Sequence, residues 1–123
     1  MPVRGIRGAT VASANTPEAI RSAARELLLA LAAANALDPA DVASVIFSTT
    51  PDLTAEPPAR AARELGWTET ALMCLREMEA DHGLPGCIRV LVHWNTSKAM
   101  AEVRHVYLHA AAELRPDRVN PSE

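Results

Sequence analysis

The sequence predicts an α+β domain, a mixed β-sheet with helices packed on one face. Three observations point there: a β-branched opening stretch broken by glycines, one long amphipathic helix with a clear start signal, and several short apolar runs set between turns rich in proline and glycine. At 123 residues the chain is near the commonest domain size. It is read as one domain over residues 1–117, with residues 118–123 as a loose C-terminal tail.

Val3 to Val11 is the first strand, because Gly5 and Gly8 within a β-branched run disfavour a solvated helix. Asn15-Thr16-Pro17-Glu18 then offers a capping side chain, a proline suited to the first turn and an early carboxylate, so a helix begins here. Ile20, Ala24, Leu27 and Leu31 recur at helical spacing and form a stripe that can cover a sheet. Asn35 and Asp38-Pro39 end it. In Val42 to Thr49 the contiguous Val45, Ile46 and Phe47 predict a central strand buried on both faces. After the Pro51-Asp52 turn, Pro57-Pro58 opens a short helix from Ala59 to Leu65, closed by Gly66, with Arg60 and Arg63 three apart on one face. Thr70 to Met78 and Cys87 to Trp94 predict two strands in a hairpin-like pair, joined by the loop from Asp81 to Gly86. Val103 to Leu114 favours a strand, although its alanine run would tolerate a helix.

Composition narrows the function. Apolar residues make up 49% of the chain but aromatics only 3%, so a lone subunit can build just a modest core and association is expected. A net charge of −3, with basic residues scattered, gives no general attraction to nucleic acid or anionic membrane. Trp67, Trp94 and Tyr107 make no basic-aromatic stripe. The opening MPVRGIRGAT lacks the apolar centre of a signal peptide and the apolar stretch from Leu27 to Ala34 is too short to cross a bilayer, so a cytoplasmic protein is expected. Cys74 and Cys87 lie thirteen apart without a metal-binding spacing and read as reduced thiols. His82, His93, His105 and His109 read as structural or surface residues, and no metal or cofactor is expected.

Five segments carry a resemblance: VRGIRGAT, TPDLTAEPPARAARELGW, CLREM, GCIRVLVHWNT and RHVYLHAAAELRPD. In order and spacing they are similar to the AroH class of chorismate mutase, over essentially the whole chain up to Asp117. The resemblance implies a homotrimer in which each subunit gives a mixed five-stranded sheet to a pseudo α/β-barrel, with active sites between neighbours. It also implies the cofactor-free rearrangement of chorismate to prephenate, a step in phenylalanine and tyrosine biosynthesis. By motif position Arg89, Arg7 and Glu77 correspond to the catalytic centre: Arg89 at the ether oxygen and a carboxylate, Arg7 at a carboxylate, Glu77 at the ring hydroxyl. Cys74 lies close to that hydroxyl, Tyr107 matches a carboxylate-binding tyrosine, and Arg63 stands near the mouth. Arg60, Ala59 and Leu114 match wall positions. Pro57 stands where the family more often has an aromatic residue, Met73 where a smaller polar one is common, and Arg60 where lysine is common. Arg115 either forms a surface salt bridge or closes over the ligand with the tail.

The chemistry suits these residue types. An intramolecular [3,3] rearrangement of a dicarboxylate needs the two arms held together and fixed positive donors where charge builds on the departing ether oxygen. Arginine does both, because its planar fork binds carboxylates bidentately and stays charged. Without the resemblance, Arg7 and Arg89 would read as ion-paired surface residues, Glu77 as their partner and Cys74 as a small buried side chain. Two other functions stand beside the mutase: a non-catalytic trimeric module that captures a small carboxylate metabolite, and acid/base catalysis by Glu77. One parity problem is visible. Cys74 and Glu77 are three apart, so on a regular strand they face opposite ways. Either a bulge separates them or each serves a different intersubunit site.

Overall fold

The computed structural model describes residues 1–78 and 83–114, with the side chain of Leu114 left out. The elements run β1 (Val3–Val11), α1 (Pro17–Asn35), β2 (Val42–Thr49), α2 (Ala59–Glu64), β3 (Ala71–Arg76), β4 (Cys87–Asn95) and β5 (Val106–Tyr107), with short 3-10 turns at Pro39–Asp41, Met100–Glu102 and His109–Leu114. The expected loop from Asp81 to Gly86 falls partly outside the described residues, as do Arg115 and the tail at 118–123.

The long helix forms where its start signal predicts. Thr16, in extended backbone, accepts the Ala19 N–H on its hydroxyl at 3.1 Å, a cap of the kind that contributes about 1 kcal/mol. Asn15 does not cap. Its Oδ1 instead accepts the Thr54 and Ala55 N–H groups, which ties the helix start to the loop after β2. Ile20, Ala24, Leu27, Leu28 and Leu31 are fully buried against the sheet.

The sheet is five-stranded and mixed, in the order β3-β2-β4-β1-β5. β4 is antiparallel to both β2 and β1, whereas β3 runs parallel to β2 and β5 parallel to β1. The hairpin-like pairing expected of β3 and β4 is therefore not formed: both flank β2, on opposite sides. Burial explains why. Ile88, Val90, Val92 and Trp94 of β4 are all buried and need the middle of the sheet, while five of the six residues of β3 are exposed and suit an edge. The β2–α2–β3 crossover supplies the connection that a parallel pair requires.

Both helices lie on one face. Ile6, Val45, Phe47, Val90 and Val92 join Leu27, Leu28, Leu31, Ala59, Ala62 and Trp67 in one core. The other face is largely bare, covered only at one end, where Ala111 and Leu84 pack with Ala9, Cys87 and Tyr107. This corrects the expectation that β2 is buried on both sides, since Val45 and Phe47 are buried but Ile46 between them is only half-buried. The strand expected from Val103 to Leu114 shortens to Val106–Tyr107, and the alanine run turns into 3-10 structure. His109 breaks the strand with a positive φ of 54°, and its Nε2 lies 2.9 Å from Glu26 of α1. Gly8 fixes how closely α1 approaches β1. A Cβ there would meet Val90 Cγ1 at 3.0 Å, Leu27 Cδ1 at 3.2 Å and the Val106 carbonyl oxygen at 3.2 Å.

Candidate active site

The bare face of the sheet carries a transverse row of side chains set by register. Leu75 on β3 pairs with Ser48 on β2, Ser48 with Arg89 on β4, and Arg89 with Ala9 on β1; Ala9 pairs with Tyr107 on β5. Paired residues share a face, so all five point away from the helices. Arg7 is two residues from Ala9 on the same strand and points the same way, diagonal to Arg89 at roughly 7–8 Å between Cβ atoms. The small Ala9 keeps the floor low between the charged groups. The result is a cleft of about 510 Å³ lined by Arg7, Ser48, Glu77, Arg89 and Tyr107, with Ile46, Leu75 and Leu91 as apolar walls.

Within the cleft the polar groups are ordered but incompletely paired. The Glu77 N–H donates to the Thr49 carbonyl at 2.7 Å, continuing the β2–β3 ladder one residue past the end of β3. Its carboxylate accepts the Ser48 hydroxyl at 2.7 Å and lies 3.5 Å from Arg89 Nε. The Arg89 contact is ionic rather than a hydrogen bond, because Arg89 Nε is buried without a hydrogen-bond partner among the described residues. The Tyr107 hydroxyl is likewise buried and unpartnered. Buried donors without acceptors are costly, so two of them on one cleft mark the place where an oxygen-rich ligand would supply the missing acceptors. Cys87, two residues before Arg89, has its thiol pushed up by burial, with the Arg89 charge pulling the other way. It is therefore a neutral thiol at neutral pH and adds no negative charge beside the arginine.

The predicted site residues divide into two groups. Arg7, Glu77, Arg89 and Tyr107 come together in this cleft. Cys74 and Pro57 line a second, shallower cleft with Thr49, Leu53, Glu56 and Arg76. There Ala59 packs into the core, while Arg63 is exposed at the surface of α2 and Arg60 bonds Glu56 at 3.4 Å. Parity accounts for the division. Cys74 pairs with Phe47 on the helix side, whereas Met73 pairs with Ile46 on the bare face, where it is exposed. Cys74 and Glu77 thus stand in different clefts of one chain. Leu114 belongs to the last 3-10 turn, its side chain outside the described residues, and Arg115 lies outside them altogether. One cleft residue escaped the sequence reading, Ser48, while His105, read there as a structural or surface residue, accepts the Arg7 backbone N–H on Nδ1 at 2.9 Å. The signal for Ser48 was its period-2 spacing from Ile46, which sets it on the face opposite Val45 and Phe47. Among the described residues no three His, Cys, Asp or Glu side chains are grouped to hold a metal ion, and no helix is long and apolar enough to cross a membrane.

Comparison with known proteins gives a consistent result. Residues 3–118 match the model of the family described as chorismate mutase type I. The chain is 49% identical over 116 residues to the chorismate mutase AroH of Thermus thermophilus, covering 94% of this chain and 95% of that protein. It is 42% identical over 118 residues to the chorismate mutase AroH of Bacillus subtilis (strain 168), covering 95% and 93%. Among solved structures, a chorismate mutase from Clostridium thermocellum superposes with a TM-score of 0.87 at 46% identity, over 89% of this chain and 97% of that one.

Proposed function

The chain belongs to the chorismate mutase type I family, isomerases of aromatic amino acid biosynthesis, and we propose that it rearranges chorismate to prephenate in the arginine cleft. Arg7 and Tyr107 hold the substrate carboxylates. Arg89 stands at the ether oxygen, where its guanidinium meets more negative charge in the transition state than in the ground state. Glu77 accepts the ring hydroxyl, oriented by the Ser48 hydroxyl at 2.7 Å. No proton need move, because in the [3,3] shift the ether C–O bond breaks as the C–C bond forms in one cyclic redistribution of the substrate's own electrons. The protein therefore lowers the barrier by orientation and fixed charge.

The single observation that carries this reading is the pair of buried donors without a hydrogen-bond acceptor among the described residues, Arg89 Nε and the Tyr107 hydroxyl, flanking the small Ala9 on one sheet face. The cleft is also open on one side, which supports a shared site. We infer that three copies assemble through their bare faces and that α2 and the β3 edge of one copy close over the cleft of the next. In this arrangement Arg63, Arg60, Pro57 and Cys74 complete a neighbour's site, with Ala59 supporting α2 from the core and Met73 standing beside the chain's own cleft. The opposite orientation of Cys74 and Glu77 then needs no bulge. The enzyme works in the cytoplasm without a metal or cofactor.

The test is incubation of the purified protein with chorismate and a chelator, followed by ultraviolet absorbance. Chorismate absorbance should decay far faster than in buffer as prephenate accumulates. Decay no faster than in buffer overturns the assignment and favours a carboxylate-binding module.

A further inference from the structure

We propose that His105 is a positioning residue for Arg7: its ring Nδ1 accepts the Arg7 backbone N–H at 2.9 Å and so fixes where the carboxylate-binding guanidinium leaves the sheet. This rests on the reading that Arg7 binds substrate.

The geometry follows from how β5 ends. The parallel pairing of β1 with β5 covers only Gly8 with Val106 and Ala9 with Tyr107. The Arg7 N–H points out on the β5 side of β1, one step before that ladder begins, where no strand carbonyl meets it. An edge N–H that is half-buried and unsatisfied would let the strand fray. The imidazole takes the place of the missing carbonyl. Accepting an N–H requires Nδ1 to be the unprotonated ring nitrogen, so the bond also fixes the tautomer.

His105 is itself held in register from the far side of the sheet. Asn35, at the end of α1 and only 1% exposed, clamps the backbone of the preceding residue. Its Oδ1 accepts the Arg104 N–H at 2.8 Å, and its Nδ2 donates to the Arg104 carbonyl and to the Leu31 carbonyl, each at 2.9 Å. A continuous chain of bonds thus runs from the helix through residues 104 and 105 to Arg7. Arg7 lines both the arginine cleft and an adjoining one that also contains Arg4, Met100, Val103 and His105. A small shift of its backbone would swing the guanidinium between the two.

A carboxylate anchor acts alike in ground and transition states, so its displacement should appear in KM rather than kcat. The experiment compares wild type with His105→Ala, His105→Asn and His105→Gln, measuring kcat and KM for chorismate and the Arg7 amide resonance in 15N-labelled protein. Asn carries an oxygen at the position of Nδ1, whereas the Gln oxygen sits one methylene further out. We expect His105→Ala and His105→Gln to raise KM about tenfold, the cost of one lost bond to a half-buried donor, with kcat within about twofold of wild type. His105→Asn should restore KM to within about threefold and keep the downfield Arg7 amide shift. Equal behaviour of Asn and Gln, a loss in kcat alone, or an Arg7 amide indifferent to every substitution overturns the proposal. Should the wild type fail to convert chorismate, the functional reading falls, and the amide resonance alone still decides whether His105 holds Arg7.

Discussion

Arg89 is held at the centre of the cleft by its place in β4 and by an ionic contact with Glu77, whose other contact is the Ser48 hydroxyl. Both carboxylate and guanidinium are about one-third exposed, so the pair itself adds little stability. Its value lies in orientation. Ser48→Ala removes the bond that orients Glu77 and lets it collapse toward Arg89; kcat/KM for chorismate should fall about tenfold, with the denaturation midpoint lowered only slightly because the carboxylate is about one-third exposed. A kcat/KM equal to wild type would show that Glu77 needs no support. At this scale the gathering of Arg7, Glu77, Arg89 and Tyr107 in one cleft was legible only through the family motifs in which each sits. Ser48 and His105 were not. Their roles depend on which residues stand opposite them, 29 and 98 positions away in the chain.

Among the elements, α1 and β1 were legible from local signals: a capping threonine before proline, and glycines inside a β-branched run. Pairing between strands was not. The alternation of β4 states that one face is buried but not which neighbour it lies beside, and the competition for central positions is decided by total apolar content. The short β5 was also hidden, because a two-residue strand is defined by its partner rather than by its own period. Gly8 ties two elements together, and its replacement tests that packing. Gly8→Ala should destabilise the fold by about 1–3 kcal/mol, seen as a lower urea midpoint at constant m, because a methyl group would press on Val90, Leu27 and the Val106 carbonyl.

The turn after β2 gives a second test among the elements. Asp52 has its carboxyl held below the ordinary 3.8, chiefly by the Thr50 hydroxyl, with the Gly86 N–H donating to its Oδ2 at 2.8 Å. Because the folded value is depressed, the carboxylate stabilises the fold above the unfolded value and that contribution is lost as pH falls through the folded one. Asp52→Asn should therefore flatten the acid limb of stability below about pH 4, modestly because the group is exposed. An unchanged acid limb would mean that the Asp52 contact does not tie the turn to β4.

For the whole molecule, the decisive feature is the bare sheet face. Met73 on β3 pairs with Ile46 on β2, Ile46 with Leu91 on β4, and Leu91 with Arg7 on β1, so an apolar band runs beside the arginine cleft. Such a face is costly to leave in water, and it is the seam in the proposed assembly of copies. Few aromatics imply a thin core in outline, but which face stays open depends on both helices covering the same side. Ile46→Asp should convert a trimer into single chains by sedimentation and abolish turnover, with the circular dichroism of the fold retained. A wild-type protein that sediments as one chain while fully active would contradict the shared site.

In the proposed reaction, fixed positive charge at the departing oxygen, not mere capture of a dicarboxylate, drives turnover in this cleft. Arg89→Lys keeps the charge but loses the planar fork, so kcat and the dissociation constant of chorismate, measured side by side, separate the two. A fall in kcat corresponding to about 3 kcal/mol is expected, with affinity weakened far less. Losses of equal size in turnover and affinity would contradict it.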